Sequence, residues 1–445
     1  MKKYDVLVIG GGPSGITISK VLGGKMSVGV IRPEDHSMIY CAMPYVIEGI
    51  LPVEKTFKKD ELIIGSGADL IRDKVAKVLF EEKKVVLESG GKLLYEKLII
   101  ATGAAPILPP IEGVDLPGVF TFKTEYDLVN ILGPIRSKNV RNAVVIGAGA
   151  IGIELVQAFK EAGLESYLID MAGHILPNLI DADFARQLQE AIEARGIIMR
   201  LNSKVSALKG NGAVESMVLD SGEEIDLPGG AIVVFSVGVR ANVELFKGTG
   251  LEIGPQGIVV DNQMRTNIPD VYAVGDCTQF VSAITGKPFQ GKLATNAVPM
   301  TRMLAKNLLG DNRRYKGFYN GAATKVADYF VGGTGLTEFA LAKEGIDYIK
   351  GEAELATMFP IMPGARKIRA KLLVRKDNLK IVGAQIVSGT PATDKVDIVT
   401  LAMQSGLTAM DMAAFSYSAQ PYQAFFPANN VFVASAEQIL SKAKK

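Results

Sequence analysis

Cysteine and histidine are scarce in this 445-residue chain, with two of each: Cys41 and Cys277, His36 and His174. Two thiols cannot build a disulfide framework and two histidines leave little for a zinc cluster, so no metal site is expected. Net charge is equally slight, since 49 basic residues against 47 acidic ones leave a formal +2. No strong field points to nucleic acid or to a membrane surface, and small-molecule chemistry is favoured over both. No uninterrupted apolar stretch approaches the ~18 residues of a membrane span. The apolar run behind Met1-Lys2-Lys3 is too short for a secretory signal and reads as a first strand. These absences describe a soluble, cytoplasmic protein. Its length suits two to four domains at about 100 to 200 residues each.

Glycine, by contrast, is gathered into two loops. Val8-Ile9-Gly10-Gly11-Gly12-Pro13-Ser14-Gly15 and Val145-Ile146-Gly147-Ala148-Gly149-Ala150-Ile151-Gly152 each end an apolar run and open a segment of helical spacing. Glycines there permit a tight turn and close backbone approach, and the helix N-terminus receives a pyrophosphate. A lone copy could be a plain turn; two in this context imply two dinucleotide sites. Asp170 follows an apolar run at 166–169, where a carboxylate can accept from a ribose 2′-hydroxyl and would repel a 2′-phosphate. NADH is therefore expected in preference to NADPH, a solvated loop acid being the alternative.

Val- and Ile-rich runs alternate with helical patterns over the first 300 residues, predicting βαβ units and parallel sheets. The expected class is α/β: one Rossmann-like unit from 1–113 and 247–319, a second over 114–246, and a C-terminal α+β domain over 320–445. In the last, strands are predicted at 371–374 and 381–387 and a helix at 393–405. The proline-rich stretch 106–110 reads as a linker. An apolar run at 232–240 closes the second unit, and residues 266–276 read as a strand running into an acid, Asp276.

Cys41 sits in His36-Ser37-Met38-Ile39-Tyr40-Cys41-Ala42-Met43-Pro44-Tyr45. Pro44 suits the first turn of a helix reaching about Glu48 and ended by Gly49. Cys41 then lies beside a helix N-terminus, which favours the thiolate that attacks sulfur or peroxide. Free cysteine is commonly a core residue; that reading is given to Cys277 instead.

These motifs together resemble the FAD-dependent pyridine nucleotide-disulfide oxidoreductases over essentially the whole chain. The first glycine loop, the turn Ala101-Thr102-Gly103 and the segment ending at Gly275-Asp276 resemble that family's FAD signatures, and Gly147 to Gly152 its NAD signature. The resemblance implies FAD contacts from Gly10, Gly12, Pro13, Ser14, Gly15, Val75, Ala101, Thr102, Gly103, Gly275 and Asp276. It also implies a helix N-terminus at Ala294, Thr295 and Asn296 facing the flavin ring, and Asp276 on the ribityl chain. NADH contacts are implied for Gly147, Gly149, Ile151, Gly152, Asp170 and Gly238, with Glu154 near the nicotinamide. Arg32 stands where the family carries a ribose-binding Glu, and Glu34 is the candidate substitute. The C-terminal domain is implied to form a homodimer.

Cys41 resembles the redox cysteine of the single-cysteine branch: CoA-disulfide reductases, NADH oxidases and peroxidases, persulfide and polysulfide reductases. The two-cysteine reductases have a second cysteine where this chain has Val46, and their C-terminal histidine has no counterpart after His174. The implied activity passes hydride from NADH through FAD to Cys41, which reduces a small disulfide, persulfide or polysulfide. The alternatives are an NADH oxidase reducing O2 and an electron donor to a small redox protein. Pro13 replaces a histidine of the oxidases and peroxidases. Lys20 lies where CoA-disulfide reductases carry arginines, and Ser37 is the other candidate substrate contact. Tyr417 or Tyr422 is the candidate proton donor across the dimer interface; with Phe415, Phe425 and Phe426 they form, in the alternative reading, an apolar interface cluster.

Overall fold

A computed structural model describes residues 1–289 and 291–444. The N-terminal run forms the strand Lys2–Ile9, paired in parallel with Val28–Ile31 on one side and Lys92–Ile100 on the other. Asp69–Ile71 extends one edge in parallel, Val271–Ala273 pairs with Lys92–Ile100, and an antiparallel hairpin, Val75–Leu79 with Lys84–Leu87, completes seven strands. Both faces are covered, which is why these strands read as near-continuous apolar runs. Val6, Val8, Val28 and Val30 pack under helices Pro13–Leu22 and Ala294–Leu308. Leu7, Ile9, Leu98 and Ile100 pack on the other face with Tyr95 and Phe246.

The second unit repeats the plan as a five-stranded parallel sheet centred on Asn142–Ile146, flanked by Glu165–Ile169 and Ala231–Phe235. Helix Ala150–Glu161 lies against it. At the junction of the units Ala104–Pro106 forms a strand antiparallel to Val239–Ala241, which takes up the first residue of the stretch 106–110, while 107–110 has no regular structure. The apolar run 232–240 contains two strands, Ala231–Phe235 and Val239–Ala241, broken at Ser236-Val237-Gly238. The chain thus leaves the first unit and returns to it along two hydrogen-bonded neighbours. Likewise the regular strand within 266–276 is short, Val271–Ala273, and a 3₁₀ turn Gly275–Cys277 presents Asp276.

The C-terminal part is a five-stranded antiparallel sheet that includes Lys367–Arg375 and Ile381–Ser388, overlaid by helices Thr393–Gln404 and Val431–Ala443. Among the described residues no helix is long and apolar enough to cross a membrane.

Candidate active site

The two glycine loops are built alike. Gly10 takes φ +120° and Gly147 φ +112°, and a Cβ on either would run into a backbone carbonyl oxygen, that of Ala101 or of Ser236. A Cβ on Gly15 or Gly152 would overlap the carbonyl of its own loop's first glycine. At Gly12 and Gly149, however, nothing lies within 4 Å of the Cβ position. These two residues cap helices Pro13–Leu22 and Ala150–Glu161, and neither helix start has a side-chain cap. Open space beside uncapped N–H donors is what a pyrophosphate requires. Both loops fit a dinucleotide.

Asp170 ends the strand Glu165–Ile169 beside the second loop. Its Oδ2 accepts from the Ala148 N–H at 2.5 Å and its Oδ1 from the Ala172 N–H at 2.7 Å. The carboxylate is thereby fixed at the loop, with Met171 largely exposed next to it. Ile151 is half exposed at the start of the helix, and Gly238, at φ +113°, lies in the break after Ala231–Phe235.

Around the first loop the expected FAD residues converge from distant segments. Ser14 is buried and accepts from the Thr301 hydroxyl at 3.1 Å, tying the two helices that cover the sheet. Thr102 donates to the Asn242 carbonyl at 2.7 Å while the Asn242 side chain donates back to the Thr102 carbonyl at 2.9 Å. That pair holds the turn Ala101-Thr102-Gly103, where Gly103 has φ +70°. Helix Ala294–Leu308 begins without a side-chain cap among the described residues, and Ala294 and Thr295 are exposed at its tip while Asn296 bonds back to the Gly291 carbonyl. Val75 opens the hairpin and is buried in the apolar core.

Arg32 is buried, its stem packed against Gly11. Its guanidinium donates to the Glu34 and Asp35 carbonyls and pairs with Asp60 at 2.6 Å. Arg72 also pairs with Asp60, and the two guanidiniums outweigh the upward pull of burial and hold that carboxyl below its usual range. The expectation for Glu34 is therefore refined: its carbonyl is engaged by Arg32 and Arg72, whereas its side chain is exposed.

Two lysines flank Asp276: Lys292, which opens the segment expected to face the flavin, and Lys123, which lies in no motif. Lys123 lies 3.7 Å from its carboxylate and over the Tyr40 ring at 5.9 Å. Lys292 donates to the carbonyls of Asp276, Gln256 and Thr278 at 2.7, 2.9 and 3.1 Å. Burial lowers the pKa of both, opposed by Asp276. The signal that could have found Lys123 is weak, because it meets Asp276 only through the fold.

Cys41 is exposed on a 3₁₀ turn, Tyr40–Ala42, that leads into helix Met43–Ile47 with Pro44 in its first turn. Glu48 follows and Gly49 takes φ +83°. Met43, Val46 and Ile47 are buried in one core with Ile153 and Val156 of the helix behind the second glycine loop. Cys277, in contrast, is fully buried, donates weakly to the Ile100 and Val274 carbonyls, and has its pKa raised by burial. Ser37 pairs in register with Lys58 on a two-residue ladder, and the buried Ser37 hydroxyl has no partner among the described residues. Lys58 is half buried, which lowers its pKa; the neighbouring Cys41 acts against this and Lys20 adds to it. Lys20 and Cys41 are both exposed. Tyr45, one turn after Cys41, has its pKa raised by burial and by the charges of Glu154, Glu48 and Cys41.

Of the aromatic residues near the C-terminus, Phe415 packs against the core that holds the buried Phe425 and also lies 6.2 Å from Tyr417, whereas Phe426 meets Phe359 edge-on at 5.2 Å. The Tyr417 hydroxyl donates to the Pro427 carbonyl of its own chain at 2.7 Å, whereas Tyr422 is more than half exposed.

Two nucleotide loops with an exposed thiol between them match a known pattern. Residues 4–301 match the model of the pyridine nucleotide-disulphide oxidoreductases, and residues 322–425 match the dimerisation domain of the same group. The chain belongs to this family. It is 33% identical to an NADH oxidase of Methanocaldococcus jannaschii, over 93% of this chain and 94% of the other. It is 32% identical to a CoA-dependent NAD(P)H sulfur oxidoreductase of Pyrococcus furiosus, over 93% and 94% respectively. Its fold superposes on an NAD-dependent persulfide reductase from A. fulgidus with a TM-score of 0.92 at 28% identity, covering 99% of this chain and 83% of that one.

Proposed function

We propose that the chain is an FAD-dependent NADH oxidoreductase that reduces a small disulfide, persulfide or polysulfide at Cys41, and that it works as a homodimer. The observation that carries this reading is the exposed Cys41, held on a turn that leads into a helix sharing a core with the helix of the second nucleotide loop. FAD, when bound along Gly10–Gly15, the 101–103 turn and Asp276, supplies a two-electron relay between NADH and the cysteine. NADH is read by the second loop with Asp170 at its ribose.

The chain's own residues then do the sulfur chemistry. The Cys41 thiolate attacks one sulfur of a disulfide, forming a mixed disulfide and releasing one thiolate. Two electrons from NADH cleave that bond and release the second thiolate, so NADH, a proton and a disulfide yield NAD⁺ and two thiols. Lys58 and Lys20 put positive charge on the side of the site that carries Cys41, which attracts an anionic substrate. Tyr422 is more exposed and its hydroxyl has no acceptor among the described residues, whereas that of Tyr417 is spent on Pro427, so Tyr422 serves better as the donor of a proton to the leaving thiolate in a partner's site. The exposed Leu401, Met410, Tyr422 and Phe426 support the homodimer.

Similarity to NADH oxidases favours a second reading, in which O2 is the acceptor and Cys41 cycles through sulfenic acid. Anaerobic NADH consumption with CoA disulfide, with polysulfide and with no added acceptor separates the two. Cys41→Ser is expected to retain FAD bleached by NADH while losing sulfur-dependent turnover; undiminished turnover removes Cys41 from the mechanism. A rate seen only with oxygen replaces the first reading by the second, and a rate that needs added redox protein replaces both.

A further inference from the structure

Glu154 stands one turn into helix Ala150–Glu161, just past the second glycine loop, on the helix that packs against Met43–Ile47 next to the Cys41 turn. Its only hydrogen-bonding partner among the described residues comes from elsewhere: the hydroxyl of Thr324, on the C-terminal strand Ala322–Val326, donates to Glu154 Oε1 at 2.8 Å. Thr324 is buried, so water does not readily replace that hydroxyl. One turn further along, Gln157 donates to the Lys325 carbonyl at 3.1 Å and accepts from the Ala327 N–H at 2.6 Å. Three hydrogen bonds thus clamp the nucleotide-loop helix to the C-terminal sheet, and one of them ends on a carboxyl group.

We infer that Thr324 is a positioning residue for the NADH half-reaction, holding Glu154 in its ionised form and in place beside the nicotinamide. The inference rests on the assignment of NADH to the second loop. When NADH gives up a hydride, two electrons and one hydrogen nucleus pass to the bound flavin and the nicotinamide ring is left with a positive charge. A carboxylate at Glu154 stabilises that charge, whereas a neutral carboxylic acid does not. Burial raises the pKa of Glu154 and the Thr324 hydroxyl opposes the rise, so the hydroxyl extends the ionised form to lower pH. On the elements packed against this helix the other titratable groups are Tyr45, with Cys41 and Glu48 beyond it, Lys325, and Glu165 and Tyr167. Of these, Tyr45 is the one that feels the Glu154 charge.

The test is the rate at which NADH bleaches the flavin of the holoenzyme anaerobically, followed by stopped flow as a function of pH. The wild type should lose rate on an acid limb, and Glu154→Gln should abolish that limb. Thr324→Val should move the limb upward by about one pH unit, the change expected from losing one hydrogen bond to a charged group. Thr324→Ser, which restores the donor, should return it. A limb abolished in the Gln variant but unmoved in Thr324→Val overturns the role of Thr324 alone. A limb that persists in Glu154→Gln overturns the nicotinamide assignment of Glu154 and the inference with it.

Discussion

A methyl group added at Gly10 and one added at Gly12 are the same chemical change with opposite expected outcomes. At Gly10 the methyl would collide with the Ala101 carbonyl on a backbone at φ +120°, so Gly10→Ala should lower stability by at least about 2 kcal/mol even without flavin. At Gly12 the methyl enters open space, so the apoprotein should melt as the wild type does while its affinity for FAD falls by about tenfold or more. Thermal unfolding of the apoprotein and flavin titration separate the two effects; equal melting of both variants would refute the argument. Asp170 allows a similar contrast. Asp170→Ser keeps an acceptor for the Ala148 N–H but removes the charge, and should raise the NADPH-to-NADH ratio of kcat/KM by about tenfold or more. An unchanged ratio would show that the carboxylate serves the loop alone. These glycines and this acid were legible in the sequence because local backbone chemistry demands their residue types at those spacings. Lys123, Lys58 and Thr324 were not, since each acquires its meaning from a partner far away along the chain.

A helix of five residues has no stability of its own in water, and Met43–Ile47 forms because its inner face is buried. Met43 is fully buried, so Met43→Ala should cost about 2 to 5 kcal/mol. The damage should reach the Cys41 turn before it reaches the first glycine loop. Turnover with a sulfur substrate is then expected to fall more than flavin content, and equal losses of both would argue against this local role. The helix itself was readable in advance from Pro44 and Gly49, because a proline in the first turn and a glycine after the last are local requirements. The strand Ala104–Pro106 was not readable. Proline is tolerated at a strand edge but gives no sign of pairing, and only the return of the chain at Val239–Ala241 supplies the neighbour. The short strand Val271–Ala273 was over-extended for a related reason: its apolar pattern continues into a 3₁₀ turn that the site requires.

At the scale of the whole molecule, the second unit and the C-terminal sheet are joined by a buried charge. Lys371 is fully inaccessible, and its ammonium lies 2.6 Å from Glu338, 2.7 Å from Asp183 and 3.3 Å from Asp181. These three carboxylates are close enough together to suggest cation ligands, but the lysine already lies among them. Asp181 also accepts from the Glu338 N–H and from the Gln385 side chain, so the cluster spans helix Ala182–Ala194 and three elements of the C-terminal part. Burial alone would lower the Lys371 pKa, but the bonds to Asp183 and Glu338 outweigh it and leave it raised. For Glu338, burial pulls upward, and the bonds from Lys371, Lys350 and Tyr348 outweigh it and leave the pKa lowered. The lysine's contribution is therefore present below its ordinary value of about 10.4 and is lost only as alkaline pH passes its folded value. The contribution of Glu338 is present at neutral pH and is lost as acid passes its depressed folded value. Replacing an entire buried ion pair by apolar groups can be neutral, but Lys371→Met removes one partner and leaves three carboxylates facing each other. We expect a loss of about 3 to 5 kcal/mol at neutral pH. Part of that loss should return on acidification, because Glu338, still bonded by Lys350 and Tyr348 but without the Lys371 ammonium, then takes up a proton more readily than in the wild type. Thermal unfolding at pH 7.5 and pH 5 should show the gap in Tm between variant and wild type narrowing in acid, and a gap that widens would mean that the carboxylates, not the lysine, dominate the junction.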